Sequence, residues 1–458
     1  MIKFEGYDEV IERVYRFNQE HVFQYWDKLL DSEKLELLDD LSGINFQLLK
    51  QIYSHTGEDE KIEFSPAPFI PLPVNEKDKI LFGEAARIGA SHISGGKVAA
   101  FLVAGGQGSR LGFDGPKGKF PIGPVSGKTL FHFHAEKIKA SEKKYGASIP
   151  FLIMTSRDNH TETEIFFKKQ NFFGLDPANV HLFPQNMIPS LDLSGKLILS
   201  ETNRIFMNPD GHGGSLTALR TSGALKKLQE LKIETLSYFQ VDNPLVKIID
   251  PVFIGFHVMN QADISSKALK KLYPEEKTGI FVQFSNGTPG IVEYSDMPED
   301  KIFAKDPDGG ILYSAANPAI HLFSISFVSE LTDSGSISLP YHIAKKKITA
   351  VIDGRHSEIA GYKFEKFVFD ALPLSAKNVI LEVLREEEFA PVKNASGQDS
   401  ADSAKELMTA LNRKWLASRG ISVPASVREV EISPLTALSP EDLPEGIVVP
   451  DKEKVLIA

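Results

Sequence analysis

Not one of the 458 residues is cysteine, so a disulfide framework, a thiolate zinc site and a cysteine nucleophile are all excluded. Long apolar runs are missing as well. No stretch approaches the ~18–20 apolar residues that a membrane-spanning helix needs. The opening MIKFEGYDEVIERV lacks the basic start and apolar run of a secretory leader. The expectation is a cytoplasmic chain without a membrane partner. Cations are in deficit, with 51 lysines and arginines against 61 acids and a net charge of −10. That balance argues against a surface that coats nucleic acid, but leaves room for a local basic pocket around phosphates. Hydrophobic residues at 42% and charged residues at 24% are otherwise ordinary for a globular protein. A single core rarely grows past ~250–300 residues, so one main domain with smaller appendages is expected.

The pattern along the chain changes twice. Residues 1 to 60 read as helical: Val10, Ile11, Val14 and Phe17 share one face, and Phe23, Trp26, Leu29 and Leu30 continue it. SPAPFIPLPV, Ser65 to Val74, holds four prolines in ten residues and predicts an extended connector. Apolar runs then alternate with helical stretches. Lys97–Val103, Phe151–Thr155 and Thr235–Val241 suit buried strands, and Thr129–Ser141 and Ser215–Leu231 suit helices. This alternation predicts a Rossmann-like α/β fold, a mixed or parallel sheet flanked by helices with ligands at the carboxyl ends of its strands. More strands are expected between Gly279 and Phe327, and a helix over Ser375–Arg385. The polar NASGQDSADS near Asn394 reads as a linker, and 421–458 as a small β-rich tail. The expected division is a helical region 1–92, a central domain 93–395 and a C-terminal domain 396–458. No internal repeat is visible.

The most informative segment is VAGGQGSRLGFDGPKGKFPIG, Val103 to Gly123. A strand empties into three glycines within four residues, followed by Arg110 and Lys117. Such glycines let backbone N–H groups approach phosphate, and the flanking cations balance its charge. A lone glycine turn is as often a tight strand–helix corner. Two familiar phosphate motifs nearly fit. Gly106, Gly108 and Gly112 give GxGxxxG, but the dinucleotide fingerprint wants a second strand ending in an acid ~20 residues on, where PKGKFPIG stands. GPVSGKT, Gly123 to Thr129, has three residues between its glycines where the Walker loop has four. Both are rejected.

The whole segment resembles the sugar-nucleotide pyrophosphorylases, in Val103, Gly106, Gly108, Ser109, Leu111, Pro116 and Lys117, with conservative departures from the family pattern at Val103, Ser109 and Leu111. Its AGGQG-R-L and PKG form is similar to the eukaryotic-type UDP-N-acetylhexosamine pyrophosphorylase branch. FPQNMIP (Phe183–Pro189), PDGHGG (Pro209–Gly214), VDNPLVKIIDPVFIGF (Val241–Phe256), GIVEYS (Gly290–Ser295), EKFVFD (Glu365–Asp370) and EVLREEEFAPVKN (Glu382–Asn394) follow in the family's order. The likeness covers about residues 95 to 395.

The resemblance implies roles for particular residues. Ala104, Gly105 and Gly106 line the nucleotide, and of the three catalytic cations Arg110 and Lys117 face its phosphates while Lys393 contacts the sugar phosphate. Without it Lys393, behind Glu386–Glu388, would read as a solvated partner of acids. Asp242 ends a hydrophobic run, where a carboxylate either holds magnesium or begins the Asn243–Pro244 turn; the resemblance assigns it to Mg²⁺. Gln185 offers an amide that matches uracil, and Gly211 and His212 close over base or ribose. Relatives often have asparagine where His212 stands. Gly290, Glu293, Asn317 and Phe367 are implied at the sugar, although Phe367 and Phe369 read unaided as alternate strand residues with at least one in the core. The remaining histidines lack metal spacing.

The implied reaction joins UTP to a sugar 1-phosphate, with N-acetylglucosamine 1-phosphate favoured over glucose or galactose 1-phosphate, in a monomer or weak homo-oligomer. Two other classes stand against it. A nucleotide-sugar-binding protein without catalysis would keep the glycines and lose the charges, which are present. An NAD(P)-dependent oxidoreductase would need the missing second-strand acid.

Overall fold

Runs of β-branched and aromatic residues with no charge have only one stable place, buried between two layers, and here they form the centre of one sheet. The computed structural model describes residues 1–54, 63–333 and 339–458; 55–60, the end of the expected N-terminal helical stretch, lie outside the described residues. The sheet's strands, in chain order, are β1 Phe64–Pro66, β2 Val98–Val103, β3 Phe151–Thr155, β4 Val180–Pro184, β5 Thr235–Gln240, β6 Ile264–Lys270, β7 Ile280–Phe284, β8 Pro289–Val292, β9 Ala315–Ala316, β10 His321–Ser324 and β11 Asn378–Val383. They lie in the order β1-β7-β9-β6-β10-β5-β2-β3-β4, with β8 beside β7 and β11 beside β6. One flank, β5-β2-β3-β4, is parallel. Beyond β5 the pairing becomes antiparallel through β10, β6, β9 and β7. The expected α/β sheet is therefore a mixed one. The apolar runs read from the sequence as Lys97–Val103, Phe151–Thr155 and Thr235–Val241 are β2, β3 and β5.

Two compact units divide the chain, and they are interleaved in sequence. The larger takes Ile62–Pro184, Leu216–Ser338 and Phe369–Ala458 and contains the whole sheet. Its helices begin on side-chain caps: Asn75 accepts from the Asp78 amide ahead of Glu76–Ser94, and Ser156 from Asn159 ahead of Arg157–Lys169. Helices Glu76–Ser94 and Pro251–Met259 cross so closely that a Cβ at Gly89 would overlap the Pro251 carbonyl, and one at Gly255 the Ala85 carbonyl. Only glycine permits that approach. The proline-rich connector is extended as expected; Ile70 bridges Leu381 in parallel.

Two expectations in this unit need correction. Ser375–Arg385 is not a helix. Val379, Ile380 and Leu381 are buried, and the segment is strand β11, in parallel register with β6 from Ile264–Asn378 to Leu269–Val383. A short apolar run has no period that separates buried strand from buried helix, and the sheet contact decided. The stretch 215–231 is two helices, Gly214–Thr221 and Ala224–Glu230, broken at Gly223 with φ 80°. The polar NASGQDSADS is in part a loop, but Ser400 within it caps an 18-residue helix, Ala401–Ser418. The tail adds one parallel pair, Glu429–Ile432 with Lys454–Ile457, over a small core of Leu416, Val427, Val430 and Val455.

The second unit comprises Met1–Lys61, Gln185–Ser215 and Leu339–Val368. Helices Asp8–Arg16, Asp31–Ser42 and Phe46–Ser54 bury Ile11, Val14, Leu37, Leu38 and Phe46 in one cluster with Ile188, Leu199 and Phe364. Its main hairpin pairs His342–Ile352 with Arg355–Glu365, turning at Asp353 and Gly354, both at positive φ. The strand ends at Glu365, so Phe367 and Phe369 are not the alternating strand residues the sequence suggested: Val368–Leu374 is a 3₁₀ turn, and Phe369 is buried.

One buried charge network in the larger unit holds the loop after β5. Lys267 on β6 is wholly buried, with its Nζ 2.7 Å from Asp250 and 2.7 Å from Glu388. Burial alone would raise the Asp250 carboxyl, but Lys267 and Lys247 hold it below its ordinary value. Asn243 donates to the Glu388 carbonyl at 2.6 Å and accepts from the Leu245 and Ala390 amides. Lys137 donates to the carbonyls of Pro244 and Val246 at 2.5 and 2.8 Å. Such a network is costly to assemble and costlier to leave half-built. Lys267→Met should lower the unfolding free energy by about 3–5 kcal/mol, since it strands two buried carboxylates, and adding Glu388→Gln should return part of the loss. Urea denaturation measures both. A single-variant loss under about 1 kcal/mol would show that the network does not stabilise the fold.

Candidate active site

The glycine segment leaves β2 at the carboxyl edge of the parallel flank. Ala104 is buried, its amide donating to the Met154 carbonyl of β3 at 2.8 Å. Asn159, the residue that closes the Ser156 capping box, also donates to the carbonyls of Ala104 and Gly106 at 3.2 and 3.4 Å. The helix start and the loop are thus held by one amide. Past Gly106 the chain bends through Ser109–Leu111 and a left-handed Gly112 (φ 68°), then returns so that the Lys117 amide donates to the Gly106 carbonyl at 3.0 Å. The Lys117 side chain runs back along the loop, its Cε 3.9 Å from where a Gly106 Cβ would be. Arg110 is exposed, with no ion pair among the described residues.

Asp242 leaves β5 beside this loop. Its carboxylate lies 3.7 Å from Lys117 Nζ, with the two side chains 12% and 18% exposed. Its carbonyl accepts from the Val392 amide at 2.9 Å, which seats the next residue, Lys393, on the same edge. Lys393 is exposed and crosses the Phe389 ring at 5.6 Å. The amides of Lys393 and Asn394 turn back onto the Asp399 carbonyl, at 2.6 and 2.9 Å. Burial raises the Asp399 carboxyl above its ordinary value; Lys393 and Arg385 oppose this, and Asp242 and Glu276 add to it. A second carboxylate thus feels both Asp242 and Lys393. The structure brings Arg110, Lys117, Asp242 and Lys393 to neighbouring loops of one unit.

A further cluster of the same unit gathers at the start of β7. Gly290 on β8 pairs with Val282, and the Phe284 ring fills the space beside it where a Cβ would stand. The Glu293 carboxylate lies over Gly279, 3.0 Å from the position of its absent Cβ. The Asn317 amide N–H donates to the Gly279 carbonyl at 2.9 Å, and its side-chain oxygen accepts from Ala319 at 2.9 Å. Glu293 and Asn317 therefore meet at one backbone point, Gly279, and Gly290 lies further along the same strand pair, opposite Val282.

The remaining predicted residues belong to the second unit and form their own group. Asp210 donates its amide to the Asn186 carbonyl at 3.3 Å, and Met187 pairs with Pro209, so Gln185 sits beside the PDGHGG loop. Gly211 has φ 81° and lies on the Lys366 backbone with no room for a side chain. The Gly213 amide donates to the Lys366 carbonyl at 2.8 Å. His212 stacks on Phe367 at 5.3 Å, and its Nδ1 accepts from the Val368 amide at 3.2 Å. Burial, with His342 nearby, lowers its pKa to about 4, so the ring is neutral at physiological pH. Burial raises the Asp210 carboxyl to about 7, against the pull of Lys366.

Sequence reasoning missed several members of these groups. Asn159, Gly279 and Asp399 act at backbone atoms or through charge across long sequence separations and belong to no recognisable motif; Asn243 stands inside VDNPLVKIIDPVFIGF but reads there only as a turn residue. Asn159 alone left a local trace, since Ser156 and Asn159 have capping-box spacing. Among the described residues no three histidines or acids cluster as a metal site, and no helix is long and apolar enough to cross a membrane.

Comparison with known proteins gives this arrangement a context. A family model described as UTP--glucose-1-phosphate uridylyltransferase matches residues 45–443. UDP-N-acetylglucosamine diphosphorylase 2 of Arabidopsis thaliana is 34% identical over 457 residues, covering 95% of this chain and 90% of that protein. UDP-N-acetylglucosamine pyrophosphorylase of Saccharomyces cerevisiae is 33% identical over 456 residues, covering 93% and 94%. Among solved structures, the uridine diphosphate N-acetylglucosamine pyrophosphorylase from Trypanosoma brucei, in complex with inhibitor, aligns with a TM-score of 0.86 at 27% identity over 100% of this chain and 99% of that one. A UDP-glucose phosphorylase from the same organism shares the fold, with a TM-score of 0.60 at 18% identity over 82% and 79%. The chain belongs to the UTP--glucose-1-phosphate uridylyltransferase family.

Proposed function

We propose that this chain is a UTP:sugar-1-phosphate uridylyltransferase that makes UDP-N-acetylglucosamine and pyrophosphate from UTP and N-acetylglucosamine 1-phosphate. Membership of the family and the names of the relatives support the reaction class and the sugar. The observation that carries the site assignment is the Lys117–Asp242 pair, 3.7 Å apart where a glycine loop leaves a buried parallel sheet. In such sheets ligands collect at the carboxyl ends of the strands.

The chemistry is phosphoryl transfer without a protein nucleophile. An oxygen of the sugar phosphate attacks the α-phosphorus of UTP in line; the new O–P bond forms as the bond to the β-phosphate oxygen breaks, and pyrophosphate leaves. The attacking phosphate is already anionic, so no general base is required. The protein positions the reactants and neutralises charge. Ala104, Gly105 and Gly106 present backbone to the triphosphate, Arg110 and Lys117 face its charge, and Lys393 holds the sugar phosphate. Glu293, Asn317 and Gly290 take the sugar hydroxyls. In the second unit, Gln185 has the amide for a pyrimidine edge, and Gly211, His212 and Phe367 a neutral, stacked surface for flat rings.

A divalent cation fits this donor set. Asp242 supplies one carboxylate, Asp399 adds charge close by, and no third acid or histidine completes a protein cage among the described residues. Mg²⁺ characteristically takes one or two carboxylates and fills its remaining positions with water and phosphate oxygens. Bound here, it would withdraw charge from the phosphates. On the same reading the enzyme works in the cytoplasm as a monomer or weak homo-oligomer, with neither nucleic acid nor membrane as partner.

Pyrophosphate release from UTP and Mg²⁺ with N-acetylglucosamine, N-acetylgalactosamine, glucose and galactose 1-phosphates tests the reading. Release should be strongest with N-acetylglucosamine 1-phosphate. Preference for glucose or galactose would overturn the sugar, and no release with any of them despite UTP binding would favour a binding protein. Lys117→Ala should lower kcat by at least ~10²-fold, the scale of one lost transition-state contact; a near-normal kcat removes Lys117 from the chemistry. Asp242→Ala should abolish Mg²⁺-dependent turnover with circular dichroism unchanged. An unaltered Mg²⁺ titration would place the metal elsewhere.

A further inference from the structure

The GPVSGKT turn resembles a phosphate loop in sequence without being one, and the structure shows what its donors hold instead. The backbone amides of Val125 and Ser126 donate to Glu431 Oε2 at 2.9 and 2.8 Å, and the Ser126 hydroxyl donates to Glu431 Oε1 at 2.6 Å. Two successive amides and a hydroxyl converging on one anion are the donor set that phosphate loops offer a nucleotide. Here an internal carboxylate fills it. Glu431 belongs to the C-terminal strand Glu429–Ile432 and is wholly buried.

The turn is joined to the nucleotide loop by a short run of backbone contacts. The amides of Ile122 and Gly123 both donate to the Lys128 carbonyl at 2.9 Å, and the Leu130 amide to Phe120 at 3.1 Å. Pro121 bridges Thr129, the Phe120 amide donates to the Lys117 carbonyl at 2.9 Å, and the Lys117 amide reaches Gly106. Few free torsions separate the carboxylate from the lysine. On its other side Glu431 follows Val430, whose carbonyl accepts from Asn412 at 3.1 Å, midway along helix Ala401–Ser418. That helix starts on Ser400, next to Asp399, which binds the Lys393 and Asn394 amides. The C-terminal segment thus runs from the Lys393 loop at one end to the Lys117 loop at the other.

Attachment alone would not call for this. A buried carboxylate costs several kcal/mol unless every lone pair is met, and the module is already tied to the rest of the unit by the Lys144–Asp442 ion pair at 2.7 Å, over an apolar core of its own that includes Leu416, Val427, Val430 and Val455. What a carboxylate with three directed donors adds over an apolar contact is a fixed orientation. We propose that Glu431 is a positioning residue that fixes the 123–128 turn and, through it, sets Lys117 against the nucleotide's phosphates, so that the C-terminal module acts on UTP binding rather than on the sugar. This rests on the assignment of the glycine loop to UTP.

The test compares Glu431→Gln, Ser126→Ala and Val455→Ala with the wild-type protein, using UTP–Mg²⁺ titration calorimetry, KM for each substrate and thermal unfolding. Glu431→Gln removes the negative charge and, with its carbonyl oxygen kept on the two backbone amides, puts an NH2 where the carboxylate accepted from the Ser126 hydroxyl. It should weaken UTP binding roughly tenfold, the scale of one lost charged hydrogen-bond set, while KM for the sugar phosphate stays within about twofold. Ser126→Ala in the same chain should add little, because it breaks the same contact. Val455→Ala, which loosens the module's apolar core, should lower the unfolding temperature and leave UTP affinity alone. The proposal is overturned if Glu431→Gln leaves UTP affinity unchanged, if it shifts both substrates equally, or if Val455→Ala weakens UTP as much. Failure of the wild-type protein to bind UTP would remove the functional reading itself, and the proposal with it.

Discussion

Register between two buried strands fixes where the glycine loop and Asp242 stand relative to one another. β2 and β5 run parallel and in step, from Val98 opposite Thr235 to Val103 opposite Gln240, and the Val241 amide donates to the Val103 carbonyl at 3.1 Å beyond the last pair. Both strands therefore end at one level. Their loops emerge side by side, one carrying glycines and Lys117, the other Asp242. A slip of one residue would turn the alternate side chains of β5 to the other face, and Tyr238 and Phe239, both wholly buried, have no exposed face to accept it. The apolar core thus determines where a half-buried cation meets a carboxylate. Lys267, Glu388, Asn243 and Lys137 then hold the loop behind Asp242 at several backbone points.

The Lys117–Asp242 pair is loose for an ion pair. A charge-assisted hydrogen bond closes to ~2.7–2.9 Å, and this one stands at 3.7 Å with both groups partly desolvated. Attraction at that range is on the order of 4 kcal/mol near a protein surface before desolvation is subtracted. It is large enough to hold each charge satisfied and small enough to be exchanged. On the proposed function the exchange is balanced: Lys117 turns to the triphosphate, and Asp242 is left for the cation that accompanies it. A chain with net charge −10 can admit a polyanion on these terms, because the local trade creates no uncompensated charge.

Much of this was legible in the sequence, and the division between what was and was not is physical. β2, β3 and β5 are short, uncharged, mainly apolar runs bounded by turn residues, so their existence was plain. The glycine segment, with Arg110 and Lys117 behind it, marked the loop that the proposed function assigns to phosphate. Ser375–Arg385 was misread because Asn378–Val383 carries only a short apolar core, and its strand character comes from β6, more than a hundred residues earlier in the chain. The hairpin around Asp353–Gly354 passed unnoticed although its turn residues were visible, since its lysine-rich first strand lacks a clean alternation. Asp399 lay in a stretch that composition marks as linker, and its relation to Asp242 exists only after folding. Glu431 was hidden for a further reason: nothing in a β-rich tail says that one of its acids completes a turn some three hundred residues away.

On the proposed function, the sugar end of the site follows a different logic from the phosphate end. Gly279, Gly290 and Asn317 are held by strand pairing and backbone hydrogen bonds, and the Phe284 ring occupies the space at Gly290. Such a floor is part of the sheet and cannot be reshaped without breaking β7 from β8. The same fold serves proteins named for glucose and for N-acetylglucosamine, so the scaffold does not carry the choice between them. One N-acetyl group is worth what a few side chains can supply or withhold. Selection must then reside in groups that stand on this floor without forming it. Glu293, whose carboxylate lies over Gly279 beyond the end of β8, is placed to act in that way, because its side chain can change while the strands beneath it keep their register.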